Sequence, residues 1–428
     1  MTLALVALLL LALMLCGIPI AFALLVAGSA GLYAAGGLDM LFGILKTAPL
    51  TSAGIFELLT IPMFMLMAEF VILSGIADGL FRAAAVWVGR APGGLGVATA
   101  LAGAGFGAIS GSSTAAAATL SATTLPSMLR AGYPPRIASG AVAISGTLAM
   151  LIPPSVAIVL YGIIANQSIG ELLIAGIMPG LLVTLVIAAT VVMLVLLHGK
   201  KLENRAYSWR EKFAALKVVG PMLVLFMLVT GVIYTGVATP TEAASLGAFG
   251  ALGLTWLEGR LTWTGFREAA RNAANTTCMI LLILMAASIF GYFVTLTGVT
   301  QDLVAWIGAL GVSRWTVLAL ILLVFILLGC FLDQISVLIL AVPLTLPIIK
   351  VLGFDPVWFG ILVVVTAEIG MVTPPVGMNV FVVSRYAGMP ADEVFIGVAP
   401  HVVAHILLLA VLVAFPQIIL WLPQTMMK

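Results

Sequence analysis

Charge is what this chain has least of: of its 428 residues only 8% are Asp, Glu, Lys or Arg, while 63% are hydrophobic. A mean hydropathy of +1.27 excludes a water-soluble domain, in which about 25% of residues are charged. Cysteine is nearly missing too. Cys16, Cys278 and Cys330 stand alone in apolar sequence, with no metal or redox spacing, and are expected to be packing residues. His401 and His405 share a helix face at i, i+4, but no carboxylate or cysteine accompanies them, so packing or interfacial roles are favoured over a metal site. HExxH, GxSxG and GxxxxGK[ST] do not occur. Protease, hydrolase and nucleotide-driven pump readings therefore lack their chemistry, and nothing points to nucleic acid as a partner.

What the chain does have is apolar length. Runs such as Met222 to Val237 with its flanks, Met279 to Leu296, Trp315 to Leu332 and Val402 to Leu422 match the roughly 20 residues of a spanning helix. They do not alternate with period two, which excludes a transmembrane barrel. Leu3 to Leu15 has no basic region before it and no clear small-residue cleavage site, so it reads as a first spanning helix rather than a signal peptide.

Two proline pairs, Pro153-Pro154 and Pro374-Pro375, lie 221 residues apart. The same offset carries Pro19 onto Pro240, Leu125-Pro126 onto Leu346-Pro347, Gly132 onto Gly353, Pro135 onto Pro356, Gly176 onto Gly397 and Pro179 onto Pro400. Proline and glycine fix backbone shape, so the duplicated feature is a pattern of helix breaks. The expected division is a first repeat over 1–197, a basic linker over 198–217 and a second repeat over 218–428.

Basic residues orient the halves. Lys200, Lys201, Arg205, Arg210, Lys212 and Lys217 place the linker in the cytoplasm. Tracing outward puts Arg82, Arg90, Arg130, Arg136, Arg260, Arg267, Arg271 and Arg385 on the same side, with Lys46, Arg314, Lys350 and Lys428 opposite. The trace requires the copies to enter the membrane from opposite sides, as an inverted repeat. Segments 95–129 and 316–349 read as re-entrant helical hairpins, 137–165 and 357–383 as broken helices, and 38–57 and 258–275 as amphipathic interfacial arms. The predicted fold is an all-α integral membrane protein.

A backbone unwound at membrane depth costs several kcal/mol per unpartnered group, so such breaks persist only against protein or beside a wet site. Carbonyls freed by a proline pair, with hydroxyls from a facing tip, make a neutral oxygen cage for a monovalent cation, and half-helix N-termini suit an anion. The first tip is Ser110 to Thr114, facing Ile152 to Ser155; the second is Asp333 to Ser336, facing Gly370 to Gly377. Small residues at such spacing also mark close helix packing. Matched breaks in both halves favour the site reading. Asp333, whose counterpart is Ser112, is the foremost single ligand candidate. Glu368 is expected to brace the second break or carry a proton. Glu57, Glu69, Asp78 and Glu242 lie near predicted helix ends and are expected to anchor or to make subunit contacts.

The segments GAISGSSTAAAATLSATTLPSMLRAGY, LIPPSVAIVLYG, FLDQISVLILAVPLTLPIIKVLGFDPVWFG and EIGMVTPPVGMNVFVV, with GIPIAFAL near the start, resemble the large membrane subunit of tripartite ATP-independent periplasmic (TRAP) transporters over essentially the whole chain. The resemblance implies an elevator-type secondary transporter in a bacterial inner membrane, not an enzyme. It would use a Na+ gradient to import an organic acid delivered by a periplasmic substrate-binding protein. It also implies a partner, a small four-helix membrane subunit, on a separate polypeptide because the four extra N-terminal helices of fused versions are absent. Two Na+ sites map onto Ser110, Ser112 and the Ala149–Pro154 loop, including Ile152, and onto Asp333 and the Gly370–Pro375 loop, including Thr373. Ser113, Ser155, Gln334, Gly377 and Asn379 are the expected substrate contacts. Ala149 stands where the family, like Gly370 here, often has glycine, and Gln334 where small or apolar residues are common. Alternatives are a Na+/dicarboxylate symporter needing no binding protein, H+ coupling, an ion channel, and a membrane scaffold or intramembrane enzyme.

Overall fold

The computed structural model describes residues 2–199, 207–298, 301, 305 and 311–426, and its regular structure is helical throughout. Lys200, Lys201, Arg205 and Lys428, counted above for orientation, and the side chain of Asp78 lie outside the described residues. Proline and glycine set most boundaries, beginning with α1 (Thr2–Leu15), α2 (Ile20–Ala53), α3 (Thr60–Ser74) and α4 (Ile76–Val88). The first half continues through α5 (Gly94–Ser110), α6 (Ser113–Thr123), α7 (Leu125–Arg130), α8 (Pro135–Thr147), α9 (Val156–Ala165), α10 (Ile169–Ala175) and α11 (Ile177–His198). The second half holds α12 (Trp209–Tyr234), α13 (Pro240–Leu257), α14 (Trp263–Leu296), α15 (Arg314–Phe331) and α16 (Gln334–Val351). It closes with α17 (Pro356–Gly370), α18 (Met378–Ala387), α19 (Ala391–Ala414) and α20 (Gln417–Met426).

Among the described residues seven helical segments are long and apolar enough to cross a membrane, and the chain is a multi-pass membrane protein. Shifted by 221 residues, the starts of α5, α6, α8 and α9 fall within one residue of those of α15, α16, α17 and α18.

Two groups of helices build the molecule. In one, α2 lies along α14, α3 along α13 and α4 along α12. Close approach is possible because Gly28 sits directly on the Phe290 backbone. Hydroxyls stitch the same surfaces: Ser52 Oγ donates to Ser288 Oγ (2.7 Å), Thr60 and Thr241 share a bond of 2.8 Å, and Thr255 donates to the Phe70 carbonyl (2.8 Å). The other group holds the hairpins α5–α6 and α15–α16 and the broken helices α8–α9 and α17–α18, flanked by α10, α11 and α19.

Three expectations change. The segment 258–275 is not a separate arm: α14 runs from Trp263 to Leu296 without interruption, since nothing between Ala273 and Met279 breaks a helix. Its counterpart does turn, because Gly36 and Gly37 leave helical geometry and Gly37 takes φ 70. Second, α1 has 14 residues, about 21 Å of helix, short of the roughly 30 Å hydrocarbon core. Third, Cys16 and Cys278 are exposed and Cys330 is buried, so packing describes Cys330 alone. The histidines do pack: His401 and His405 are fully buried, and His405 Nδ1 lies 2.8 Å from the His401 carbonyl. Among the acids, Glu242 completes a capping box with Thr239 at the start of α13, and Glu69 accepts from Asn272 (3.2 Å). The first is local to its own helix, and the second joins α3 to α14.

The crossing of α8 and α19 is the tightest test of this packing. A Cβ on Gly397 would stand 2.1 Å from the Arg136 carbonyl oxygen, and one on Gly140 would stand 2.2 Å from the Gly397 carbonyl oxygen. Gly397→Leu is expected to cost at least the roughly 1–3 kcal/mol of an overpacked core, lowering the thermal midpoint and the monodisperse yield in detergent. Gly253→Ala, in α13 with nothing within 4 Å, is expected to be neutral or to gain about 0.5–1 kcal/mol of helix stability.

Candidate functional site

The first break is sealed by the first tip. Gly107 and Gly103 leave room for the backbones of Ala149 and Ser145, and Gly146 for Ala117, with no space for a Cβ. Gly111 (φ 56) turns the chain between α5 and α6, and Ser112 caps α6 by accepting the Ala115 N–H at 3.4 Å. Across from it the chain unwinds over Leu151 to Ser155. Ser155 holds that loop together: its hydroxyl donates to the Met150 carbonyl and accepts from the Ile158 N–H at 3.3 Å. Ser110 is different. Its hydroxyl is buried and has no hydrogen-bond partner, in the tip that packs against the 148–150 turn.

The second break repeats the arrangement with other side chains. Gly329 presses on the Ala367 carbonyl and the Gly370 Cα, and the Gly377 N–H donates to the Cys330 carbonyl at 3.2 Å. Thr373 Oγ1 donates to the Ile369 carbonyl (2.6 Å), and the Asn379 N–H to the Met371 carbonyl (3.3 Å). Asp333 caps α16, accepting from the Ser336 N–H (3.2 Å) and hydroxyl. Both proline pairs contain a cis bond, Pro153-Pro154 and Pro374-Pro375.

The helix that ends at Ser110 packs on the turn of Ala149, which leads into the loop of Ile152 and Pro154, and Ser112 caps the helix after it; Asp333 follows the segment of Gly329 and Cys330 that touches Gly370 and Gly377, at the two ends of the loop of Thr373 and Pro375. The expected substrate contacts divide. Asn379 crosses between halves, donating to Ser113 Oγ at 2.7 Å and toward the Ala143 carbonyl at 3.4 Å. A second crossing runs from the Tyr161 hydroxyl to the Pro356 carbonyl (2.6 Å). Ser155 is spent on its own loop, and Gln334 Nε2 bonds the Val364 carbonyl (3.2 Å) of its own half, leaving Oε1 buried without a partner. Gly377 (φ 55) shapes the turn into α18. Glu368 is fully buried, and neither carboxylate oxygen has a partner.

Beside the Ser113–Asn379 link lies a cavity of about 670 Å³ lined by Thr114, Ala115, Ala118, Val382, Arg385 and Tyr386. Sequence reasoning used Arg385 only as an orientation marker. Its spacing was the available signal: Val382 and Tyr386 follow Asn379 at i+3 and i+7, on one face of α18. Among the described residues no group of three His, Cys, Asp or Glu side chains gathers as in a carboxylate or imidazole metal site. The oxygens at the breaks are backbone carbonyls and hydroxyls, with the Asp333 carboxylate at the second tip.

Asn379→Leu, similar in volume, would leave the Ser113 hydroxyl buried and unpaired. It is expected to cost about 1–3 kcal/mol, read as a lower thermal midpoint, and Ser113→Ala in the same chain is expected to recover part of the loss.

Known proteins match nearly the whole chain. Residues 7–418 match the family model for the DctM component of the tripartite ATP-independent periplasmic transporter. The C4-dicarboxylate TRAP transporter large permease protein DctM of Pseudomonas aeruginosa is 34% identical over 371 residues, 86% of each chain. The sialic acid TRAP transporter large permease protein SiaM of Vibrio cholerae is 34% identical over 417 residues, 97% of this chain and 96% of that one. The ectoine TRAP transporter large permease protein TeaC of Halomonas elongata is 32% identical, covering 86% of each. The crystal structure of the Alcanivorax borkumensis YdaH transporter shares the fold at 17% identity, with a TM-score of 0.67 and 90% coverage of both chains. A match over nearly the full length, on residues that include both tips and both breaks, makes this chain a member of the DctM family of TRAP transporter large permeases.

Proposed function

We propose that this permease imports an organic acid, received from a periplasmic substrate-binding protein, by coupling its movement to a Na+ gradient. A smaller membrane subunit completes the assembly, and the basic linker faces the cytoplasm of the inner membrane. The observation that carries the reading is the pair of matched breaks, each closed by a hairpin tip of its own half and joined to the other half at Ser113 and Asn379. In the first half, the unpartnered Ser110 hydroxyl and the carbonyls of residues 149–154 fit a cation lacking oxygen ligands. In the second, the Asp333 carboxylate and the carbonyls of residues 370–375 do the same, with a formal charge added. Bound Na+ orders the tips, so Na+ raises substrate affinity and substrate raises Na+ affinity by the same factor.

The hairpins and broken helices form the moving unit of an elevator, carried against the framework of α2, α3, α4, α12, α13 and α14. Its support is the layout: the hairpins and broken helices pack within one group of helices, and the framework meets that group chiefly through α3 and α4 on α5 and α14 on α16. A second coupling reading, proton transfer at Glu368, is favoured by one observation, its buried and unpartnered carboxylate.

Proteoliposomes carrying the permease, its small subunit and its binding protein decide between these. Uptake is expected to follow an imposed Na+ gradient; indifference to Na+ together with a response to a proton gradient would move the coupling to Glu368. Asp333→Asn keeps a side chain able to cap α16 while removing the charge. It is expected to raise the Na+ concentration for half-maximal uptake about ten-fold, a loss of about 1.4 kcal/mol, with folded yield unchanged. Unaltered Na+ dependence in that variant would remove Asp333 from the ion site.

A further inference from the structure

We infer that Arg385, with Thr114 and Tyr386, forms the subsite that holds the negatively charged group of the transported acid. The inference rests on the transport reading above and assigns substrate recognition to the cavity beside the breaks rather than to the breaks themselves.

Position is the first support. The cavity begins one residue from the link between halves, since Thr114 follows Ser113 and Val382 lies one turn beyond Asn379. A ligand there touches both repeats at once. Its volume of about 670 Å³ falls within the roughly 300–1,000 Å³ of small-molecule sites.

Charge is the second. Arg385 is exposed and makes no ion pair among the described residues, and no acidic side chain lines the cavity. Thr114 and Ala115 belong to the first turn of α6, whose dipole is positive at that end. The cavity is therefore positive from two sources. The guanidinium fork matches the paired oxygens of a carboxylate or sulfonate, and the Thr114 and Tyr386 hydroxyls supply neutral donors.

The third support comes from the duplication. Shifted by 221 residues, Thr114, Ala118, Val382, Arg385 and Tyr386 correspond to Ile335, Ile339, Tyr161, Ile164 and Ala165. The repeated backbone thus carries no charge at the matching place, and the arginine belongs to one half only. A basic residue in the last turn of α18 also suits the helix dipole and a cytoplasmic surface. Those roles need positive charge alone, which lysine supplies as well. A fork for paired oxygens needs arginine.

The two accounts separate on Arg385→Lys and Arg385→Gln, assayed in the complete assembly in proteoliposomes with succinate, N-acetylneuraminate and isethionate as labelled probes. For the probe that the wild type accumulates, Arg385→Gln is expected to raise KM at least ten-fold and Arg385→Lys several-fold, with no loss of monodisperse protein. A wild-type KM in Arg385→Gln, or in Arg385→Lys with only the glutamine variant impaired, would overturn the assignment. The Na+ dependence of the wild type is read separately. Its absence would sink the coupling scheme and leave the KM comparison standing.

Discussion

The structure depends on one constraint: a backbone that unwinds inside a membrane must find partners for its peptide groups within the protein. Both breaks meet it locally. Ser155 takes the Met150 carbonyl, Thr373 takes that of Ile369, Asn379 sends its N–H to Met371, and Gly377 sends its own to Cys330 on the opposite tip. The last of these is possible only if the tip comes within contact of the break. That explains the glycines at 103, 107, 146, 329 and 370, each of which sits where a Cβ would strike another segment of the chain. The small-residue stripes are therefore packing elements first. They make the breaks affordable, and the polar atoms left over, such as Ser110 Oγ and Gln334 Oε1, are the places where the accounting stays open.

Much of this was legible in the sequence because proline and glycine act on the backbone directly. The breaks at 151–155 and 371–377, the hairpin tips and the helix starts shared at an offset of 221 all follow from residues whose conformational effect does not depend on distant contacts. Where the reading failed, the signal was of another kind. The polar segment 258–275 reads as separable by its charge, yet Arg267, Glu268 and Arg271 ride on the exposed side of an unbroken α14. The partners of Gln334 and Ser155 were equally out of reach. Whether a buried amide turns to its own half or the other is decided by which carbonyl the fold brings near, here Val364.

The duplication fixes backbone shape and leaves chemistry free, and this difference governs how the two halves divide the work. Ser112 and Asp333 occupy matching positions, and both cap the helix that follows, so the exchange of hydroxyl for carboxylate preserves the local fold while adding a charge to one tip. Ser113 and Gln334 also match, but the serine accepts a bond from the opposite half, whereas the glutamine turns inward to its own. Asn379 corresponds to Ile158, so the amide-to-hydroxyl tie with Ser113 has no counterpart at the matching position. Tyr161, the counterpart of Val382, makes a different tie between halves, with its ring against Gly360 and its hydroxyl on the Pro356 carbonyl. A repeated scaffold built this way keeps matched backbone breaks in both halves, yet the cavity that carries Arg385 has no charged counterpart at the matching positions of the first half. Asymmetry of this kind comes from side chains alone, because the backbone unwinds at matching places, 151–155 and 371–377, in the two halves.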